Sequence, residues 1–276
     1  MYFYRLSANM ADSNRQQEQE VIGLLPAAGQ ATRISPLPVS KELYPIGFRF
    51  LPDGSLRPKV VCHYLLEKMQ LAGISKAFVL LRPGKWDIPA YLGDGTMLDM
   101  HLGYLVVQLL HGVPYTLDQA YPFVKNAVIA LGFPDILFQP EDAYKRLLNR
   151  LRASTANVVI GAVPFEHSYK GGMVNFNSEG QVSQVVEKPL HSNLQYSWCT
   201  AVWTPVFTEF LHQYLRSDAG NQQAQPQEIP IGNVIQAAID SGMQVEAEVL
   251  ADGAYLDIGT PEDLVRAVRH FAAQEV

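Results

Sequence analysis

Cysteine is scarce: two in 276 residues, Cys62 and Cys199, each within an apolar stretch and without metal-ligand spacing. That argues against a disulfide framework or a thiolate metal site, and both thiols are expected to be buried in a reducing compartment. Apolar runs approaching the ~18 residues of a membrane span are missing, so no membrane-crossing helix is expected. The first twenty residues, MYFYRLSANMADSNRQQEQE, lack the basic start, apolar centre and small-residue cleavage site of a signal peptide. Residues 1–20 are expected to form a polar, disordered extension, residues 21–276 the folded domain, and the location is expected to be cytoplasmic. Net positive charge is missing too, since 21 Lys and Arg against 27 Asp and Glu leave −6. No global basic field recruits nucleic acid or an anionic membrane, so any bound anion must be held by a local site.

What is present is an ordinary globular composition, 48% hydrophobic and 17% charged, enough for one large α/β domain or two small ones. Strand-like apolar runs recur at 21–25, 76–81, 102–110, 126–132, 157–163 and 245–250. Several are continuous rather than alternating, the pattern of strands covered by helices on both faces. Helix-like segments lie between them at 60–73, 140–154, 205–217 and 261–274. In the last, Thr260 is placed as N-cap, Pro261 at the first helical position and acids in the first turn. The alternation predicts an α/β fold with a mixed, mainly parallel sheet between two helical layers. The polar stretch 217–230 reads as a loop too short to divide the chain into domains.

The segment VIGLLPAAGQATRISPLPVSKELYPIG, residues 21–47, runs from a buried-type strand into a turn of small residues, Ala27, Ala28, Gly29 and Ala31. Such a turn lets backbone N–H groups approach an anion closely. Arg33 and Lys41 follow it, and cations lining a turn commonly face something anionic. It is not a Walker A loop, because no Gly-Lys-Ser/Thr follows. Close strand packing remains the alternative explanation of the small residues. His63, His101 and His111 form no metal spacing, and Trp198 and Trp203 are expected to be packing residues.

The stretch PAAGQATR followed by SKELYPIG resembles the signature of sugar-phosphate nucleotidylyltransferases. Further pieces stand in that family's order: PKVVCHYLLEKMQLAGI, YLGDGTMLDMHLGYLVVQ, LGFPDILF, YKGGMVNFNSEGQVSQVVEKP and AYLDIGTPEDLVRA. The resemblance covers about residues 21–270, and the last two pieces are the most specific. It implies a three-layer, Rossmann-like nucleotide-diphospho-sugar transferase domain. The implied reaction takes a nucleoside triphosphate and a sugar 1-phosphate to a nucleotide-sugar and pyrophosphate, with Mg²⁺. Two anions must meet, so cations are needed to screen repulsion and to stabilise the leaving group. By the same resemblance, Arg33 and Lys41 serve the triphosphate, and Ala27, Ala28 and Gly29 cradle it. Gln108 reads the base, Asp135 and Asp257 hold the metal, and Glu187, Lys188 and Gly172 (or Gly171) take the sugar phosphate. Members of the family often form oligomers, so a homo-oligomer is expected.

The chain departs from the family pattern at several points. Ala28 and Ala31 replace glycines, and a positive φ at position 31 costs an alanine about 1 kcal/mol. Eight positions separate Arg33 from Lys41, a loop two residues shorter than usual. Two residues intervene between Gly132 and Asp135, Thr116 stands near a usual glycine, and Ala201 replaces another. Three readings follow: an active transferase favouring UTP or dTTP, a catalytically weak nucleotide-sugar-binding regulatory relative, and a glycosyltransferase of the same fold. The retained acids and cations favour the first, and the absence of an Asp-x-Asp turn near residue 135 counts against the third.

Overall fold

The computed structural model describes residues 19–51, 53–108, 111–217, 228–251 and 255–272. Residues 1–18 of the expected extension and most of the expected loop 217–230 lie outside the described residues. The amino-terminal half contains β1 (Val21–Pro26), β2 (Pro45–Phe50), β3 (Leu56–Val60), α1 (Val61–Leu71), β4 (Lys76–Leu81), α2 (Asp87–Leu92) and β5 (His101–Val106). It continues with α3 (Val113–Asp118), α4 (Tyr121–Val124), β6 (Val128–Gly132), β7 (Ile136–Phe138) and α5 (Ala143–Ala153). The remainder is β8 (Val158–Pro164), β9 (Gly172–Phe176), β10 (Val182–Glu187), β11 (Tyr196–Trp203) and α6 (Pro205–Arg216). Helix α7 (Ile231–Asp240), β12 (Val245–Val249), β13 (Tyr255–Asp257) and α8 (Pro261–Ala272) complete the described chain.

Nine of these strands form one mixed sheet in the order β10-β9-β11-β6-β1-β4-β5, with β8 and then β12 on the other side of β11. Strands β6, β1, β4 and β5 run parallel, and β12 runs parallel to β8. Strand β11 is antiparallel to β6, β8 and β9. The continuous apolar runs have the cause the sequence implies, since consecutive residues bury into opposite layers. Leu25, Val79 and Ala130 join the cluster under α1 and α5. Leu24, Leu80, Ile129 and Leu131 join the one under α3, α6 and α7. Cys62 and Cys199 are buried free thiols, and burial pushes both well above the ordinary thiol pKa.

In such sheets loops gather beyond the carboxyl ends of the parallel strands. Here the antiparallel strands feed the same edge. Glu187 at the end of β10 pairs with Gly172 at the start of β9, which pairs in turn with Trp198 near the start of β11. A separate two-stranded ribbon, β7 with β13, stands beside this edge and brings Asp257 opposite Ile136. Helix α8 packs beside that ribbon through Ala267 and Phe271, in a third apolar cluster with Ile258, Tyr64 and Leu137. Its start matches the expected cap: the Asp263 N–H donates to Thr260 Oγ1 at 3.3 Å. The described helices include none long and apolar enough to cross a membrane.

Candidate active site

Asp135 and Asp257 are 122 residues apart in sequence and adjacent in space, because β7 and β13 pair immediately beside them. The Ile258 N–H donates to the Asp135 carbonyl at 3.2 Å, which locks the two turns together. Lys41 joins them from the single helical turn Lys41–Leu43, its ammonium donating to Asp135 Oδ2. Burial alone would lower the Lys41 pKa, yet the charges of Asp135, Glu42 and Asp257 outweigh it and hold the amine above its ordinary value. Burial followed by repulsion from Asp135 raises the Asp257 carboxyl, and Lys41 and Arg33 only partly offset them. Two like charges crowded into one low-dielectric site behave in this way.

Arg33 reaches the same place from the first turn while staying exposed. A Cβ built on Gly259 would lie 2.7 Å from Arg33 Nη2 and 3.0 Å from Asp257 Oδ1, so guanidinium and carboxylate flank one glycine. Ala27 and Ala28 are buried at the end of β1, and the Ala27 N–H is already spent on the Leu80 carbonyl at 2.9 Å. Within the turn Gly29 is exposed, with open space where a side chain would stand. Ala31 adopts a positive φ, 54°, the left-handed region that disfavours alanine. Gln108 stands exposed just past β5, on the same carboxyl edge.

On the other flank Glu187 is half-buried, and its Oε1 accepts the Trp198 indole N–H at 3.2 Å. Burial raises its carboxyl pKa; Trp198, the Lys188 charge and the Gly232 N–H at the start of α7 oppose that rise. A Cβ on Gly232 would fall 1.9 Å from Glu187 Oε1, so only glycine lets this helix end meet the carboxylate. Lys188 is exposed at φ 45°, its N–H donating to the Gly171 carbonyl at 3.1 Å. Lys170 is tied to Asp263 at 3.2 Å. Sequence patterns gave Trp198 only a packing role and passed over Glu42, Lys85, Asp87 and Gly232. No sequence signal marked them, since the pairing of both Trp198 and Glu187 with Gly172 exists only in the fold.

Asp257 Oδ1 is buried and has no hydrogen-bond partner, and Asp135 stands beside it. Two hard carboxylates, one with an unmatched oxygen, fit Mg²⁺, which takes one or two protein carboxylates and completes its shell with phosphates and water. Clusters of three or more His, Cys, Asp or Glu that could hold a metal by themselves are absent among the described residues.

Two cations from the β1–β2 connection, an acid from the β6–β7 turn, a second from β13 and a half-buried carboxylate from β10 gather at one sheet edge, the layout of an α/β nucleotide-binding domain. A family model described as nucleotidyl transferase matches residues 22–274, and the chain belongs to that family. A glucose-1-phosphate thymidylyltransferase of Neisseria meningitidis is 25% identical over 252 residues, covering 89% of this chain and 80% of its own. The low-salt glycan biosynthesis nucleotidyltransferase Agl11 of Haloferax volcanii is 23% identical over 89% of this chain, which spans 64% of that relative's length. Among solved structures, a UDP-glucose pyrophosphorylase from Acinetobacter baumanii superposes with a TM-score of 0.73 at 19% identity, covering 92% of this chain and 93% of that one.

Proposed function

We infer that this protein transfers a nucleotidyl group from UTP or dTTP to a sugar 1-phosphate, releasing pyrophosphate. The observation that carries this is the meeting of Lys41, Asp135, Asp257 and Arg33 at the carboxyl edge of the sheet. A sugar phosphate oxygen attacks the α-phosphorus in line, and the bond to the β-phosphate oxygen breaks. Lys41, a compact charge on a short turn, screens the two anions as they meet, and Arg33 grips the departing pyrophosphate with a planar donor fork. Asp135 and Asp257 would hold Mg²⁺, which when bound neutralises triphosphate charge and polarises the phosphorus. Across the cleft, Glu187 is held by Trp198 and α7 to face the sugar hydroxyls, and Lys188 balances the sugar phosphate. Gln108, on the carboxyl side of β5, is suited to base contact. The uridylyl and thymidylyl names among the similar proteins support a pyrimidine.

The test is pyrophosphate release with Mg²⁺, pairing UTP, dTTP, CTP, ATP and GTP with a panel of sugar 1-phosphates, with Asp135→Asn in parallel. Release that needs both substrates and is lost in the variant is expected. Silence across the panel with triphosphate binding intact would overturn the inference in favour of a regulatory binding role.

A further inference from the structure

Between Pro26 and Lys41 the chain forms no helix or strand, so Lys41 receives no support from regular structure on its amino side. What holds it comes from elsewhere. The Asp87 carboxylate takes two hydrogen bonds from Ser40, from its N–H at 2.6 Å and its hydroxyl at 2.8 Å. Lys85 donates to Glu42 Oε1 at 2.6 Å, with both side chains buried. Asp87 is itself fixed, since its Oδ1 also accepts the Ile88 N–H at 3.1 Å at the start of α2. The residues immediately before and after Lys41 are therefore both gripped by one short segment leaving β4.

We propose that residues 85–87 form a clamp whose role is to position Lys41 against the reacting phosphate, with Lys85 and Asp87 as positioning residues. The proposal rests on the function inferred above. A buried ion pair contributes little net stability, because desolvating both charges offsets their attraction. Its geometric consequence is larger: with Ser40 and Glu42 fixed, the side chain between them projects at Asp135. The short Arg33–Lys41 loop leaves Lys41 little slack of its own, so the clamp sets its reach. A displacement of about 1 Å of a group acting on the reacting centre costs on the order of a hundredfold in rate.

The experiment measures kcat and KM for the nucleotidyl transfer, together with amide hydrogen exchange, in the full chain. The variants are Asp87→Ala, the neutral double variant Glu42→Gln/Lys85→Gln, and Lys85→Arg. Asp87→Ala and the double variant are expected to lose kcat by about tenfold to a hundredfold, with the triphosphate KM within about threefold of wild type. Lys85→Arg, which keeps a donor for Glu42, is expected to restore most of kcat. Exchange in a peptide covering residues 38–44 is expected to rise in the first two variants while the core peptides stay protected. An unchanged kcat, or a loss appearing only in KM, would overturn the clamp. So would an equal loss in Lys85→Arg, or exchange that rises throughout the fold. A wild-type protein that transfers no nucleotide would overturn the inferred function instead, while unaltered exchange at 38–44 in the variants would still refute the clamp.

Discussion

Gly172→Ala is a one-methyl change with a large expected effect. A Cβ there would lie 2.2 Å from Trp198 Nε1 and 2.8 Å from Glu187 Oε1. The indole cannot swing aside freely, for Trp198 is 6% exposed and packs edge-on against Phe133 with ring centroids 5.9 Å apart. Overpacking of a core costs about 1–3 kcal/mol, and forfeiting a hydrogen bond to a charged group about 1.5–3. Because the two share one movement they do not add fully, and about 2–4 kcal/mol is expected, a Tm fall of roughly 3–7 °C for a chain of this length. Thermal denaturation of wild type, Gly172→Ala, Trp198→Phe and the double variant closes a cycle. Phenylalanine removes the pyrrole edge that the methyl strikes, so Gly172→Ala should cost at least about 1 kcal/mol less in that background. The same cost in both backgrounds, or one under about 0.5 kcal/mol in wild type, would refute the steric argument. The space beside Gly172 is filled by the protein's own indole and carboxylate, so the glycine seats Glu187 against Trp198.

Ala31→Gly should stabilise the fold by up to about 1 kcal/mol, the left-handed penalty at φ 54° less the extra entropy of glycine; a lower Tm would contradict it. His63 is fully buried with neither ring nitrogen partnered, and burial, then the charges of Arg49 and Lys59, push its pKa down to about 3; Tyr91 faces the ring as well. The folded state thus favours the neutral ring, whose contribution is complete above the unfolded value of 6.5 and is lost as pH falls towards about 3. The unfolding free energy should drop by up to about 1.4 kcal/mol per pH unit in that window, and His63→Asn should remove that part of the slope. In the bare site the charges of Lys41 and Arg33 are cancelled by Asp135 and Asp257. Calorimetric affinity for UTP or dTTP should therefore fall at least about tenfold when Mg²⁺ is replaced by EDTA. Equal affinity in both buffers would count against these acids as the metal ligands.

Much of the sheet was legible because burial on both faces leaves unbroken apolar runs, as in β1, β4, β6 and β8. Strand β11, at the centre of the sheet, escaped notice although every residue from Ser197 to Trp203 is buried. Its sequence YSWCTAVW is broken by Ser197 and Thr200, whose hydroxyls donate to the carbonyls of Gly172 and Leu131 at 3.1 and 2.7 Å. Polar residues satisfied by neighbouring strands look like loop residues until those neighbours are known. Helix α7 was missed for a related reason, since Gly232 in its first turn answers to Glu187 on another strand and works against helix propensity. Strands β7 and β13, three residues each, are too short for any period to register.

The site divides along the same line. Residue types that must meet phosphate or metal carry their chemistry with them, so Arg33, Lys41, Asp135, Asp257, Glu187 and Lys188 could be nominated from motif order alone. The residues that hold those groups in place carry no such mark. Lys85 and Asp87, in the stretch RPGKWD, have the composition of an exposed turn, and their partners lie 43 and 47 residues upstream. Trp198 resembles any core aromatic until Gly172 is seen to make room for it against Glu187. A charge on a loop is read as solvated because most such charges are, and only the fold discloses that Lys85 is 4% exposed. Supporting residues in this family should therefore be sought beside strand ends that carry a motif cation, among charges whose burial contradicts their composition.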